Sequence, residues 1–94
     1  MVIRFAQSAR RHKIGQARVR FVIEHPVVTD RVPAPDNSLL PDERLVFLGD
    51  DHTGRALEVM AVELADGALL VIHAMDLRDK YRPLYEEGKD AKQS

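Results

Sequence analysis

Apolar positions recur along this chain with two different periods, and the points where the period changes mark its elements. Residues 2–5 read as a short strand. Ser8 can then cap a helical turn to Arg11 by accepting backbone N–H bonds. Ile14, Ala17, Phe21 and Val22 follow the i, i+3, i+7, i+8 spacing of a helix over residues 16–24, and Pro26 disfavours helical geometry at His25. Residues 27–32 read as a second strand and residues 33–42 as a polar, proline-rich loop.

Three further strands follow, over residues 45–48, 56–64 and 69–75. The first two are joined by the polar loop 49–54, and the last two by Asp66-Gly67, which signals a two-residue turn. The last strand is apolar almost throughout, as expected of a strand covered on both faces. Residues 78–87 read as a closing helix in which Pro83 requires either a late start or a break. The expected fold is α+β: an antiparallel sheet of four to five strands with one or two N-terminal helices and a C-terminal helix. Residues 1–87 form a single domain in this reading, and residues 88–94 a flexible tail.

Ninety-four residues, 45% hydrophobic and 31% charged, fit one globular domain with one core. The chain has no cysteine, which removes disulfides and thiolate metal sites and suits a reducing compartment. No apolar run is long enough to cross a membrane as a helix, and the N-terminus lacks a signal-peptide pattern, so a cytoplasmic location without membrane association is expected. The net charge of −1 conceals an asymmetry. Residues 1–20 carry +6 with no acid, residues 21–70 carry −7, and the remainder is neutral.

The turn at Asp66-Gly67 pairs Met60 with His73 and Glu58 with Met75, so Glu58 lies diagonally from His73 on one face, within side-chain reach. A carboxylate there raises an imidazole pKa and suits proton transfer. The same pattern also describes a histidine at the core edge, held for structure alone. Just beyond lie Arg78, Lys80, Tyr81 and Arg82, groups suited to phosphate contacts and base stacking, or to a solvated helix face. Arg10, Arg11, His12, Lys13, Arg18 and Arg20 form the strongest electrostatic candidate for a nucleic-acid or acidic-partner surface. The histidines show no metal-ligand spacing, residues 50–54 read as a hairpin loop, and no glycine-rich phosphate loop is present, so neither metal nor cofactor is expected.

Several of these segments carry a resemblance. Residues 8–14 (Ser-Ala-Arg-Arg-His-Lys-Ile), 45–49 (Leu-Val-Phe-Leu-Gly), 54–59 (Gly-Arg-Ala-Leu-Glu-Val) and the last strand with its basic sequel at 77–81 resemble the BrnT family, over roughly residues 3–82. BrnT proteins are small RelE-like ribonuclease toxins of bacterial toxin–antitoxin pairs. Lys13 stands where that family usually has glycine, and His73-Ala74-Met75 stands near its Ser-Ala-Arg. The resemblance implies a type II toxin that cleaves mRNA. Its expected partners are RNA and a small antitoxin, often of ribbon-helix-helix type, with operator DNA reached only through the antitoxin.

On that basis the expected chemistry is metal-independent attack of a 2′-hydroxyl on its adjacent phosphate. His73 and Glu58 handle protons, and Arg78 and Lys80 stabilise phosphorane charge. Tyr81, Arg82, Arg55 and His12 are the expected substrate contacts. Two rivals remain open at this point: a non-catalytic protein-binding module, and a toxin of the same fold acting on a target other than RNA, such as DNA gyrase.

Overall fold

The strand at residues 56–63 organises the molecule, because its side chains are buried on both sides. Leu57, Val59 and Ala61 face one layer, while Glu58 points to the other. A computed structural model describes residues 1–36 and 42–93. The five strands among these residues are β1 (Ile3–Phe5), β2 (Val28–Val32), β3 (Arg44–Asp50), β4 (Ala56–Glu63) and β5 (Leu69–Asp76). They form one sheet in the order β1-β5-β4-β3-β2. The fold is α+β, with α1 (Gln16–Glu24) and α2 (Arg82–Gln93). β2 to β5 make an antiparallel meander, with short hairpin connections over residues 51–55 and 64–68. β1 is the exception to the expected antiparallel sheet: it joins β5 in parallel, pairing Ile3, Arg4 and Phe5 with Leu69, Leu70 and Val71.

Both faces of the sheet are covered. Val19, Val22 and Ile23 of α1 pack on Phe47, Leu57, Val59, Val71 and Ala74. The buried stripe of α1 is therefore centred on Val19, with Ala17 exposed, one step around the wheel from the stripe expected from sequence. On the opposite face Tyr85 and Leu84 of α2 pack with Val46, Leu48, Leu77 and Met60. α2 approaches β2 so closely that a Cβ on Gly88 would overlap Val28 Cγ2 and lie 3.1 Å from the Val27 carbonyl oxygen.

The late helix start is what Pro83 permits: a 3₁₀ turn occupies Asp79–Tyr81, and Pro83 falls in the first turn of α2, where no N–H is required of it. The tail expected over residues 88–94 is helical to Gln93. Its anchors are Gly88 against β2, Lys89 Nζ on Asp50 Oδ2 at 2.6 Å, and Lys92 Nζ on the Pro26 carbonyl at 2.6 Å. None of these partners is near in sequence. Of the polar loop expected over 33–42, residues 37–41 lie outside the described residues.

Candidate catalytic site

Two deviations from a simple hairpin aim His73 at Glu58. The β4–β5 turn has three residues, not the two expected, with Leu64 N donating to Ala68 O at 2.8 Å and Gly67 in left-handed geometry at φ 86°. Asp66 Oδ1 accepts the Ala68 N–H at 3.0 Å and fixes the turn. The longer turn shifts the register by one near the loop, pairing Ala61 with Val71. A bulge between Met60 and Ala61, absorbed by Ile72 on β5, restores Met60 opposite His73 and Glu58 opposite Met75. Without it, alternation from Val71 would put His73 on the α1 face. The expected Glu58–His73 neighbourhood is thus reached by two compensating changes, neither read from the sequence.

Glu58 is wholly buried and its carboxylate is saturated with donors. Oε1 accepts the Arg78 backbone N–H at 2.8 Å. Oε2 accepts Arg78 Nε at 2.9 Å, Arg78 Nη2 at 2.6 Å and His73 Nε2 at 2.9 Å. Burial pushes the Glu58 pKa up, but the hydrogen bonds from Arg78 and His73 outweigh it and leave it below the usual carboxylate value. Glu58 is therefore ionised at neutral pH, with its lone pairs committed. That makes it an orienting group for its two neighbours.

Because the carboxylate has no proton to give, His73 Nε2 carries the hydrogen of their bond, and Nδ1 keeps its lone pair. Among the described residues Nδ1 has no hydrogen-bond partner, and no buried polar side-chain atom there lacks one, so Nδ1 is open to solvent. Burial lowers the His73 pKa, with Glu58 opposing and the charges of Arg78 and His12 adding to the fall. The expectation that the carboxylate would dominate and raise it is reversed by desolvation. The product is a neutral, oriented imidazole with an exposed basic nitrogen.

Around this pair the structure gathers four more of the expected residues, Arg78, Lys80, Tyr81 and His12. Arg78 is 39% exposed beyond its fork to Glu58, and its Nη1 makes no hydrogen bond among the described residues. The Tyr81 ring receives Arg78 at 5.8 Å and Lys80 Nζ at 5.0 Å. Burial raises the Tyr81 pKa, so its phenol stays protonated. The His12 ring lies edge-on to His73, centroids 6.1 Å apart. Arg55 and Arg82 are engaged outside the cluster, Arg55 with Asp76 and Arg82 with Asp79 at 3.8 Å.

Sequence reasoning missed how the first segment is fixed. Ser8 does not cap the 3₁₀ turn Gln7–Arg10; its hydroxyl donates to the Ile72 carbonyl at 2.8 Å, at the bulge, while Ala9 enters the core. Arg18, expected on the basic surface, instead donates from Nε to Asp51 Oδ2 at 2.6 Å. Asp51 Oδ1 also accepts from Thr53 N, Thr53 Oγ1 and Arg55 N, which holds the β3–β4 loop as the turn expected there. These bonds, the Thr53 hydroxyl first, keep the Asp51 pKa far below the usual range. Arg10, Arg11, Lys13 and Arg20 are exposed and without an ion-pair partner among the described residues. Nor do three His, Asp or Glu side chains there group to hold a metal ion. Of the exposed cations, Arg10, Arg11 and Lys13 flank His12 in the chain, beside His73.

Comparison of the chain with protein-family models, with curated proteins and with solved structures yields no match.

Proposed function

We propose that this protein is a metal-independent endoribonuclease and the toxin of a bacterial type II toxin–antitoxin pair. The observation that carries the nuclease reading is the open Nδ1 of a neutral His73, held in one tautomer by buried Glu58 and adjacent to the partly free guanidinium of Arg78. In an RNA strand the 2′-hydroxyl is the nucleophile nearest each phosphate. His73 Nδ1 takes its proton, the 2′-oxygen bonds to phosphorus, and the 5′-oxygen leaves as a 2′,3′-cyclic phosphate forms. Arg78 meets the charge that grows on the non-bridging oxygens, and Glu58 keeps both groups in place. Arg10, Arg11, Lys13 and Lys80 supply the cationic rim that a polyanion needs. Tyr81, its ring already beside two cations, positions them, with a hydroxyl to offer to phosphate.

The toxin assignment rests on the BrnT resemblance, and one structural observation favours it. Lys13, which replaces the family's usual glycine, has φ 58°, a conformation glycine adopts without strain. A small antitoxin, of ribbon-helix-helix type where the resemblance holds, covers the site and reaches operator DNA on the toxin's behalf. The reaction belongs in the cytoplasm, where its substrate is, and among the described residues no helix is long and apolar enough to cross a membrane.

The test is inducible expression of this chain and of His73→Ala in bacteria, following growth and mRNA integrity. Arrest with mRNA loss, abolished by the substitution, supports the proposal. Normal growth with intact mRNA from well-expressed protein favours a protein-binding module that uses the same basic segment. Arrest with intact mRNA points to another target.

A further inference from the structure

The proposed reaction leaves one proton unassigned. When the 5′-oxygen departs it needs a proton, and Glu58, ionised and saturated, has none to give. Tyr81 is a phenol held above its ordinary pKa, a poor donor near neutrality. The imidazole beside His73 is that of His12, its ring edge-on at a centroid distance of 6.1 Å.

Resting on the ribonuclease reading, we propose that His12 is the general acid of the same site, protonating the 5′-oxygen as His73 removes the 2′-hydroxyl proton. The placement of His12 is built, not incidental. β1 pairs with β5 only as far as Val71, and beyond that point the 3₁₀ turn Gln7–Arg10 takes over the edge of β5. Ser8 fastens this turn to the Ile72 carbonyl at the bulge, and buried Ala9 seats it. Lys13 N then donates to the Arg10 carbonyl at 3.1 Å and the chain reverses through Lys13 at φ 58°. The bulge that aims His73 is thus the point to which the His12 segment is tied, so the two imidazoles are positioned by one feature of the backbone.

The chemistry follows from that asymmetric pair. His73 is the more enclosed ring, with its Nε2 hydrogen committed to Glu58, whereas His12 is exposed among Arg10, Arg11 and Lys13. One imidazole tied to Glu58 and a second, exposed one edge-on to it place a base and an acid at one site, as transesterification needs. In the step the 2′-O–P bond forms and the P–5′-O bond breaks. One proton passes from the 2′-hydroxyl to His73, and one from His12 to the leaving alcohol. Solvent exchange returns both rings to their starting states.

A leaving group that needs no proton isolates the role. The purified protein, His12→Ala and His73→Ala are compared on an oligoribonucleotide and on uridine 3′-(4-nitrophenyl phosphate), whose nitrophenolate leaves unassisted. His12→Ala is expected to lose on the order of 10²–10⁴-fold on the oligoribonucleotide but less than about tenfold on the aryl ester. His73→Ala is expected to lose activity on both. Equal losses of the His12 variant on both substrates, or none on either, overturn the assignment while leaving the ribonuclease reading in place. A wild-type protein inert on both overturns that reading and this one with it. Thermal denaturation of His12→Ala, an exposed position, separates a chemical effect from a folding one.

Discussion

Removing the Arg78 side chain should expose how the buried carboxylate of Glu58 is supported. Arg78→Ala deletes two charge-assisted hydrogen bonds, from Nε at 2.9 Å and Nη2 at 2.6 Å, and leaves the backbone N–H and His73 as donors. Hydrogen bonds to charged groups contribute about 1.5–3 kcal/mol each, and removing one partner of a buried pair costs about 3–5 kcal/mol. Two of four donors survive here, and the Arg78 side chain, 39% exposed, loses less hydration than a buried one. The expected loss is about 2–3 kcal/mol at pH 7, a large fraction of the roughly 5–15 kcal/mol typical of a domain.

The sign of the pH dependence follows from Glu58. In the wild type its folded pKa is lowered, so its contribution is complete above the unfolded value near 4.5 and is lost only as pH falls through the folded value. In the variant, burial persists with half the donors, so the folded pKa rises above the unfolded one. The variant then regains stability relative to wild type as pH falls from 7 to 5, by up to about 1.4 kcal/mol for each pH unit over which folded Glu58 is protonated. Urea denaturation at pH 7, 6 and 5 reads this directly. A difference below about 0.5 kcal/mol that does not change with pH would refute the picture of a buried carboxylate neutralised by Arg78.

Other positions test the frame around the site. Gly88→Ala should destabilise by roughly 1–2 kcal/mol despite alanine's better helix propensity, because branched Val28 and the Val27 carbonyl cannot both yield; urea midpoints measure it. Lys13→Gly should stabilise by about 0.5–1 kcal/mol through relief of the left-handed backbone, and should lower the salt dependence of RNA binding by about one charge. Asp51→Asn should lower the thermal midpoint and detach Arg18, visible as loss of protection of the Thr53 and Arg55 amides in hydrogen exchange.

Local pattern made much of this fold legible. The helix Gln16–Glu24 was bounded by spacing and Pro26, and the meander by turn residues, because those signals act within a few positions. Partners distant in sequence were not legible. Nothing near residue 88 announces that Val28 and Asp50 will hold the last helix, and nothing near Ser8 announces the Ile72 carbonyl. The pairing of Glu58 with His73 agrees with the arithmetic of a two-residue turn because the three-residue turn and the bulge at Ile72 cancel. Arg78, a few residues beyond the same strand, shares that locality. The approach of His12 depends on a turn and a bulge that break the arithmetic, and the division of the basic residues into paired Arg18 and free Arg10, Arg11 and Lys13 depends on folds of the chain far away.

The role proposed for an oriented His73 is RNA cleavage without a metal. Its most direct measurement is incubation of the purified protein with a defined RNA in excess EDTA, resolving the product ends, beside His73→Ala. The expected products are fragments ending in 2′,3′-cyclic phosphate, formed at a rate that EDTA leaves unchanged and that the substitution lowers by about 10²–10⁴-fold. RNA left intact by the folded wild-type protein, or cleavage that persists in His73→Ala, would contradict it.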